Sequence, residues 1–205
     1  VENFVVGAPC GIMDQMASSL GQQGKLLALL CQPASLQPPV GIPSHLRFWG
    51  IDSGVRHSVG GSDYGAVRTA TFMARTLLRG KLQARAEFAE ALGTTHKELP
   101  AQVTALDHLV HLSPSLFTEL VECLPEALSG AEFLFTWGSH GDGATAVQPD
   151  LSYALRGCAA HPVHEHFRVR TFRQLLTQEA SEEQLVSLGE LMYQSHASYS
   201  AIGLG

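Results

Sequence analysis

The opening of the chain constrains it most. Gly7-Ala8-Pro9-Cys10-Gly11 is a turn bounded by glycine and proline, and Pro9 suits a first helical turn, where its missing N–H costs nothing. Ile12, Met13, Met16 and Leu20 then recur at helical spacing, and Gly21 and Gly24 end the helix. The turn therefore sets one carboxylate, Asp14, just inside a helix start, with a second, Glu2, twelve residues upstream. A helix N-terminus favours an ionised side chain by about 0.3–1 kcal/mol. A held carboxylate can orient a hydroxyl and take its proton. An Asp in a first turn also serves simply to stabilise its helix.

The chain has 205 residues, enough for one large domain or two small ones. With 45% hydrophobic residues it can fill a packed core. A formal charge of −6 argues against a nucleic-acid footprint, which needs a basic face. An anionic ligand would have to meet local positive groups or backbone N–H donors. No apolar run reaches the roughly 20 residues of a membrane span, and no secretory signal is visible, although the first residue is Val rather than Met. Cys10, Cys31, Cys123 and Cys158 show no CxxC spacing and read as buried or free thiols of a reducing, cytosolic protein.

Along the chain, Lys25 to Cys31 is a short apolar run that reads as a buried strand, and Pro33, Pro38, Pro39 and Pro43 mark a loop. Arg47 to Asp52 reads as a second strand. A helix is expected from about Ser62 to Arg79, with Val67, Ala70, Met73, Ala74 and Leu77 inward. Arg68, Thr71, Arg75 and Arg79 would line the other face, where the three arginines read as a solvated stripe. Residues 82–92 form a further helix candidate with Leu82, Ala86, Ala89 and Leu92 inward, and 115–128 follow Pro114 as another. Glu132 to Trp137 is either a strand or a buried helix end, which periodicity cannot decide. Ser139 to Gly143 is a loop, read as an ordinary turn with backbone phosphate contact as the alternative. Two helices close the chain, one from about His161 to Gln178. The other begins at Ser181 as a capping box with Gln184, and points Leu185, Leu188, Leu191 and Met192 inward.

His161, His164, Glu165 and His166 invite a zinc hypothesis. Residues 164–166 fan around a helix rather than sharing a face, and the spacing is not HExxH, so zinc is disfavoured.

Glu2, Asn3, Phe4, Val6-Gly7, the run Pro9-Cys10-Gly11-Ile12-Met13-Asp14-Gln15, and Gly21 resemble, without a gap, the catalytic-aspartate segment of the galactokinase branch of the GHMP small-molecule kinases. Asp52 to Tyr64 resembles the same family's segment ending in an acidic residue plus Tyr. Leu191 to Ser200 resembles, more weakly, its LM-x-x-SH-x-S helix. Phe48 to Gly54, Val59-Gly60-Gly61, His161 to Val169 and Tyr199 to Gly205 are similar to the L-arabinokinase-like branch.

The resemblance implies an α+β, two-domain GHMP-kinase-like fold. Residues 1–45 would end the N-terminal domain, and 46–205 would form most of the C-terminal one. It implies ATP-dependent phosphorylation of the anomeric hydroxyl of a monosaccharide, L-arabinose first and D-galactose as the alternative. ATP and Mg²⁺ are the implied cofactors, with no nucleic-acid or membrane partner. By resemblance Asp14 is the catalytic aspartate facing that hydroxyl, Gly11 a backbone contact to the sugar, Tyr64 a contact to a sugar hydroxyl and Glu2 the Mg²⁺ ligand. Mg²⁺ takes only one or two protein carboxylates, so a lone Glu is adequate. Arg56 and His57 match family residues and are expected to hydrogen-bond structurally. Leu191 and Met192 are expected in the core; Ser195 and His196 would line the nucleotide side or cap packing.

The family's glycine- and serine-rich phosphate loop and its glycine-rich C-terminal motif have no counterpart in these residues, and both ends of the chain read as cut. Phosphoryl transfer rests on positioning and on neutralising phosphate charge, so the segment alone is expected to be inactive or unstable. A catalytically silent sugar-binding homologue is the reading from another class, and intact Asp14 and Glu2 argue against it.

Overall fold

The computed structural model describes Val5 and residues 10–31, 34–54, 62–91 and 106–204. Glu2, Arg56, His57, the glycines at 60 and 61 and Leu92 lie outside the described residues. The chain is α+β, with helices and three small antiparallel two-stranded sheets. It divides into two compact units, Val1–Gly60 with Val169–Gln194, and Gly61–Arg168 with Ser195–Gly205.

In the first unit, α1 spans Met13–Leu20 and is stopped by Gly21, whose N–H still donates to the Ala17 carbonyl. No α1 residue is fully buried, and Met13 and Leu20 are exposed. The apolar run at 25–31 is not one strand. β1 (Lys25–Leu26) pairs with β4 (Val40–Gly41), and β2 (Leu29–Leu30) pairs with β3 (Ser35–Leu36). Pro38 and Pro39 stand between β3 and β4 and supply no ladder N–H, which splits the pairing into two pieces.

Residues 47–52 form no strand. Trp49 is 81% and Ile51 92% exposed, while Phe48 lies against Phe172 with ring centroids 6.5 Å apart. A strand needs a ladder partner, and among the described residues this segment has none.

The second unit holds a core of Met73, Leu78, Leu82, Leu106, Leu124, Phe133, Leu155 and Val163. Its frame is α2 (Ser62–Ala91), one helix where two are expected from the sequence. Gly80 costs about 1 kcal/mol in a helix interior. Burial of Leu77, Leu78 and Leu82 beside it, at about 1.5–3 kcal/mol each, outweighs that.

Pro114 opens α3 (Pro114–Leu120), which Ser113 caps by accepting from the Leu116 N–H at 3.2 Å. The helix is shorter than the 115–128 expected: a 3-10 turn follows at Val121–Cys123, then Pro125 and β5 (Ala127–Ser129). The segment at 132–137 is helical. Ser129 and Glu132 form a capping box that starts α4 (Gly130–Trp137), with Phe133 fully buried. β6 (Ser152–Ala154) pairs with β5 and leads directly into α5 (Leu155–Leu175).

α5 begins six residues earlier than expected from His161 and carries Pro162 inside it. Proline has no N–H for the carbonyl four residues back, here Cys158. The Thr71 hydroxyl of α2 supplies a substitute donor at 3.1 Å, shared with the Val67 carbonyl at 2.8 Å. The helix survives its proline because a neighbouring helix satisfies the orphaned acceptor.

α6 (Glu182–Ala201) is capped by Ser181, whose Oγ accepts from the Gln184 N–H at 3.1 Å. The Gln184 side chain does not complete a capping box. It is buried and donates to the Leu175 and Gln178 carbonyls at 2.7 and 3.2 Å, closing the end of α5, while its Oε1 meets His45 Nε2 at 3.0 Å. Of the four α6 residues expected inward, Leu188 is buried and Leu191 half-buried. Leu185 and Met192 are exposed.

Of the cysteines, Cys31 and Cys123 are exposed, Cys10 is half-buried and Cys158 is buried. Burial pushes the Cys158 thiol up to about 11, which makes it a poor nucleophile.

Candidate functional site

Asp14 sits in the first turn of α1 with its side chain exposed. Ile12 occupies the N-cap and offers no side-chain acceptor, so Asp14 is the acidic group at this helix end. Gly11, which precedes α1, is also exposed, and a Cβ there would meet none of the described residues within 4 Å. The backbone at Gly11 is thus open to close approach by a ligand. Gln15 Nε2 reaches Cys10 Sγ at 3.9 Å and ties the turn to the helix. Glu2 lies outside the described residues.

Tyr64 belongs to the second unit, half-buried in the first turn of α2. Arg68 follows one turn further on along the same helix. It grips Asp142 in a fork, with Nε donating to Oδ2 at 2.7 Å and Nη2 to Oδ1 at 2.9 Å. The pair is largely shielded: the Asp142 side chain is 6% exposed and that of Arg68 20%.

Asp142 further accepts from the Thr145 hydroxyl at 2.7 Å and the Ala144 N–H at 3.3 Å. Burial alone would raise the Asp142 carboxyl. The hydrogen bonds from Arg68 and Thr145 and the Arg68 charge outweigh it and hold the group well below the usual carboxylate range.

The Asp142 N–H donates to His140 Nδ1 at 3.0 Å, which puts the imidazole proton on Nε2, facing Thr145 Oγ1 at 3.4 Å. Burial, then the nearby Arg75 and Arg68, lower the His140 pKa against the pull of Asp142. Arg75 donates to the His140 carbonyl at 3.1 Å and to the Asp107 carbonyl at 3.2 Å, and it stands over the Phe72 ring at 4.7 Å. Arg79 pairs with Asp107 at 3.1 Å.

Of the arginine stripe expected to form a solvated face, Arg79 is exposed, while Arg68 and Arg75 are half-buried and engaged. Together they clamp the 139–143 loop and the segment at Asp107 onto the helix. Neither Arg68 nor Asp142 stands out by spacing. The signals that could have found them are an Arg one turn after Tyr64 and an Asp between two glycines.

The histidine-rich stretch of α5 disperses its side chains. His161 Nδ1 meets Ser198 Oγ at 2.8 Å with its ring edge on Tyr199, His164 sets its edge on Phe117, and Glu165 accepts from Arg168 and from the Ser195 hydroxyl at 2.7 Å. Ser195 is thus engaged in joining α6 to α5, and His196 is exposed. Burial, then Tyr64 and Glu165, raise the Tyr199 phenol. Among the described residues no group of three or more His, Cys, Asp or Glu could hold a metal ion, and no helix is long and apolar enough to cross a membrane.

No family model matches the chain. It is 45% identical over 215 aligned residues to an L-arabinokinase of Arabidopsis thaliana, covering 100% of this chain and 21% of that protein. It is 43% identical over 86 residues to a galactokinase of Chloroflexus aurantiacus, covering 40% of this chain and 22% of that protein. It is 33% identical over 107 residues to a galactokinase of Pasteurella multocida, covering 52% of this chain and 26% of that protein. The chain thus spans about a fifth of the length of the L-arabinokinase. This chain is a homologue of L-arabinokinase and of the galactokinases, members of the GHMP kinase family.

Proposed function

We propose that the whole protein is an ATP-dependent sugar 1-kinase and that L-arabinose is its substrate. The observation that carries this reading is the 45% identity that extends across all of this chain to an L-arabinokinase. The galactokinase matches reach 43% over 86 residues and support the same reaction with D-galactose as the second reading.

In this reading Asp14 orients the anomeric hydroxyl and takes its proton as the γ-phosphate of ATP is transferred in line. Its exposed carboxylate at an uncapped helix end suits that task. The open backbone at Gly11 meets the sugar, and the Tyr64 phenol hydrogen-bonds a sugar hydroxyl. Mg²⁺ arrives with ATP as part of the substrate. A hard cation held mainly by phosphate and water needs one or two carboxylates, and Glu2 fills that role.

Residues 1–45 close an N-terminal domain and 46–205 make most of a C-terminal one, in a cytosolic GHMP-kinase-like fold. The chain covers 21% of the L-arabinokinase, so turnover belongs to the whole protein and the 205 residues alone are inactive.

The test is phosphorus NMR of the whole protein with ATP and either L-arabinose or galactose. The expected product is a sugar with phosphate on the anomeric oxygen, formed faster from L-arabinose. Faster turnover of galactose would favour the second reading, and no sugar phosphate from either would contradict both.

A further inference from the structure

We propose that residues 47–51 are a docking site for one more β-strand, supplied by the same protein from outside these 205 residues. The segment lies in the first unit between two closed turns. On one side the Leu46 N–H donates to the Pro43 carbonyl at 3.0 Å. On the other the Gly54 N–H donates to Asp52 Oδ1 at 2.9 Å, and Gly54 takes a φ of +69°. Between the turns, among the described residues, no backbone N–H or carbonyl of 47–51 has a hydrogen-bond partner. A run of about five residues is the usual length of a strand.

Two features select a strand over any other cover. A row of free N–H and carbonyl groups is what a sheet edge presents, and only another strand pairs with it along its length. The large side chains also alternate. Trp49 and Ile51, which share a face in extended backbone, are both almost fully exposed. Phe48, of the opposite parity, lies against Phe172 of α5. One side thus already meets a helix, and the other is bare. Single exposed apolar residues are ordinary, but a large apolar pair beside an unpaired backbone is a surface that association buries. The docking strand carries apolar side chains at alternate positions, where they meet Trp49 and Ile51 as cross-strand neighbours.

The strand has a source. The chain covers 21% of the L-arabinokinase that it matches along its whole length, so a kinase of that kind carries most of its residues elsewhere. A segment of the same molecule competes at an effective concentration of about millimolar. A second copy does not, and the formal charge of −6 opposes self-association. The inference rests on reading these residues as part of such a longer kinase, and it concerns that protein's fold rather than its turnover.

The experiment is hydrogen exchange of the whole protein, read by mass spectrometry on the peptide covering 47–53, with a photo-crosslinker at position 49 in a parallel sample. The expected result is exchange of the 48–51 amides at least about a hundredfold slower than free-peptide rates, in a monomer. Position 49 should crosslink to a segment of the same molecule outside these residues. Ile51→Asp should lower the unfolding temperature, and Ile51→Val should leave it near wild type. Free-peptide exchange at 48–51 would overturn the proposal. So would a crosslink to a second molecule or to a segment within these 205 residues, or a neutral Ile51→Asp. Should Ile51→Asp fail to fold, exchange of the wild-type protein decides. Neither exchange nor crosslinking needs turnover, so failure here leaves the sugar 1-kinase reading intact, and failure of that reading leaves this result legible.

Discussion

The Thr71 hydroxyl lies 3.1 Å from the Cys158 carbonyl, the acceptor that Pro162 leaves without its helical donor. The contact explains how α5 carries a proline and remains one helix from Leu155 to Leu175. Thr71→Val keeps the side-chain shape and removes the donor. The expected loss is about 1–2 kcal/mol of unfolding free energy, read by urea denaturation of the 205-residue chain. Unchanged stability would mean that the Cys158 carbonyl finds another partner.

The Arg68–Asp142 pair gives a second expectation. Removing one partner from a shielded ion pair strands the other charge, so Asp142→Ala should cost about 3 kcal/mol. Arg68→Met/Asp142→Leu should recover most of that loss, because no charge is then left behind. Equal damage in the single and paired variants would show that the loss comes from the removed contacts and not from a stranded charge.

Gly130 gives a third. It is buried at the start of α4, and a Cβ there would lie inside the Gln148 carbonyl. The colliding atoms are backbone, so no rotamer change relieves them. Gly130→Ala should cost about 3 kcal/mol, seen as a lower unfolding midpoint. A neutral substitution would mean that the 148–149 backbone shifts without penalty.

A fourth concerns pH. His108, His140, His161 and His164 are all held below the ordinary 6.5, with burial the first cause in each. On unfolding each ring regains that ordinary value. Below about pH 6.5 the unfolded chain therefore binds more protons than the folded one, and stability falls as pH falls. Between pH 7.5 and 5.5 the melting temperature of the chain should drop, and His140→Gln should shrink the drop. A flat profile would contradict the lowered pKa values of these four histidines.

Much of the second unit was legible in the sequence. The inward face of α2, from Val67 through Ala70, Met73, Ala74 and Leu77, follows from helical spacing, and the exposed Trp49 and Ile51 do not follow from theirs. A helix supplies its own hydrogen bonds, so its pattern is local, whereas 47–52 needs a strand partner that spacing cannot reveal. The break expected near Gly80 vanishes because tertiary burial overrides a propensity cost. Pro162 moved the expected start of α5 for the same reason: its rescue comes from Thr71, 87 residues away in sequence from Cys158.

At the candidate site, Asp14, Gly11 and Tyr64 were identified through resemblance. Arg68 was assigned to a solvated face because nothing local announces that Asp142, 74 residues later, returns to it.

The central claim is that Asp14 is the catalytic carboxylate of a sugar 1-kinase. The most direct measurement compares wild type and Asp14→Asn in the whole protein, by ATP-dependent phosphorylation of L-arabinose and by calorimetric sugar binding. The account predicts that turnover is abolished while sugar affinity stays within a few-fold, since asparagine keeps the shape and loses the base. Retained turnover in Asp14→Asn would contradict it.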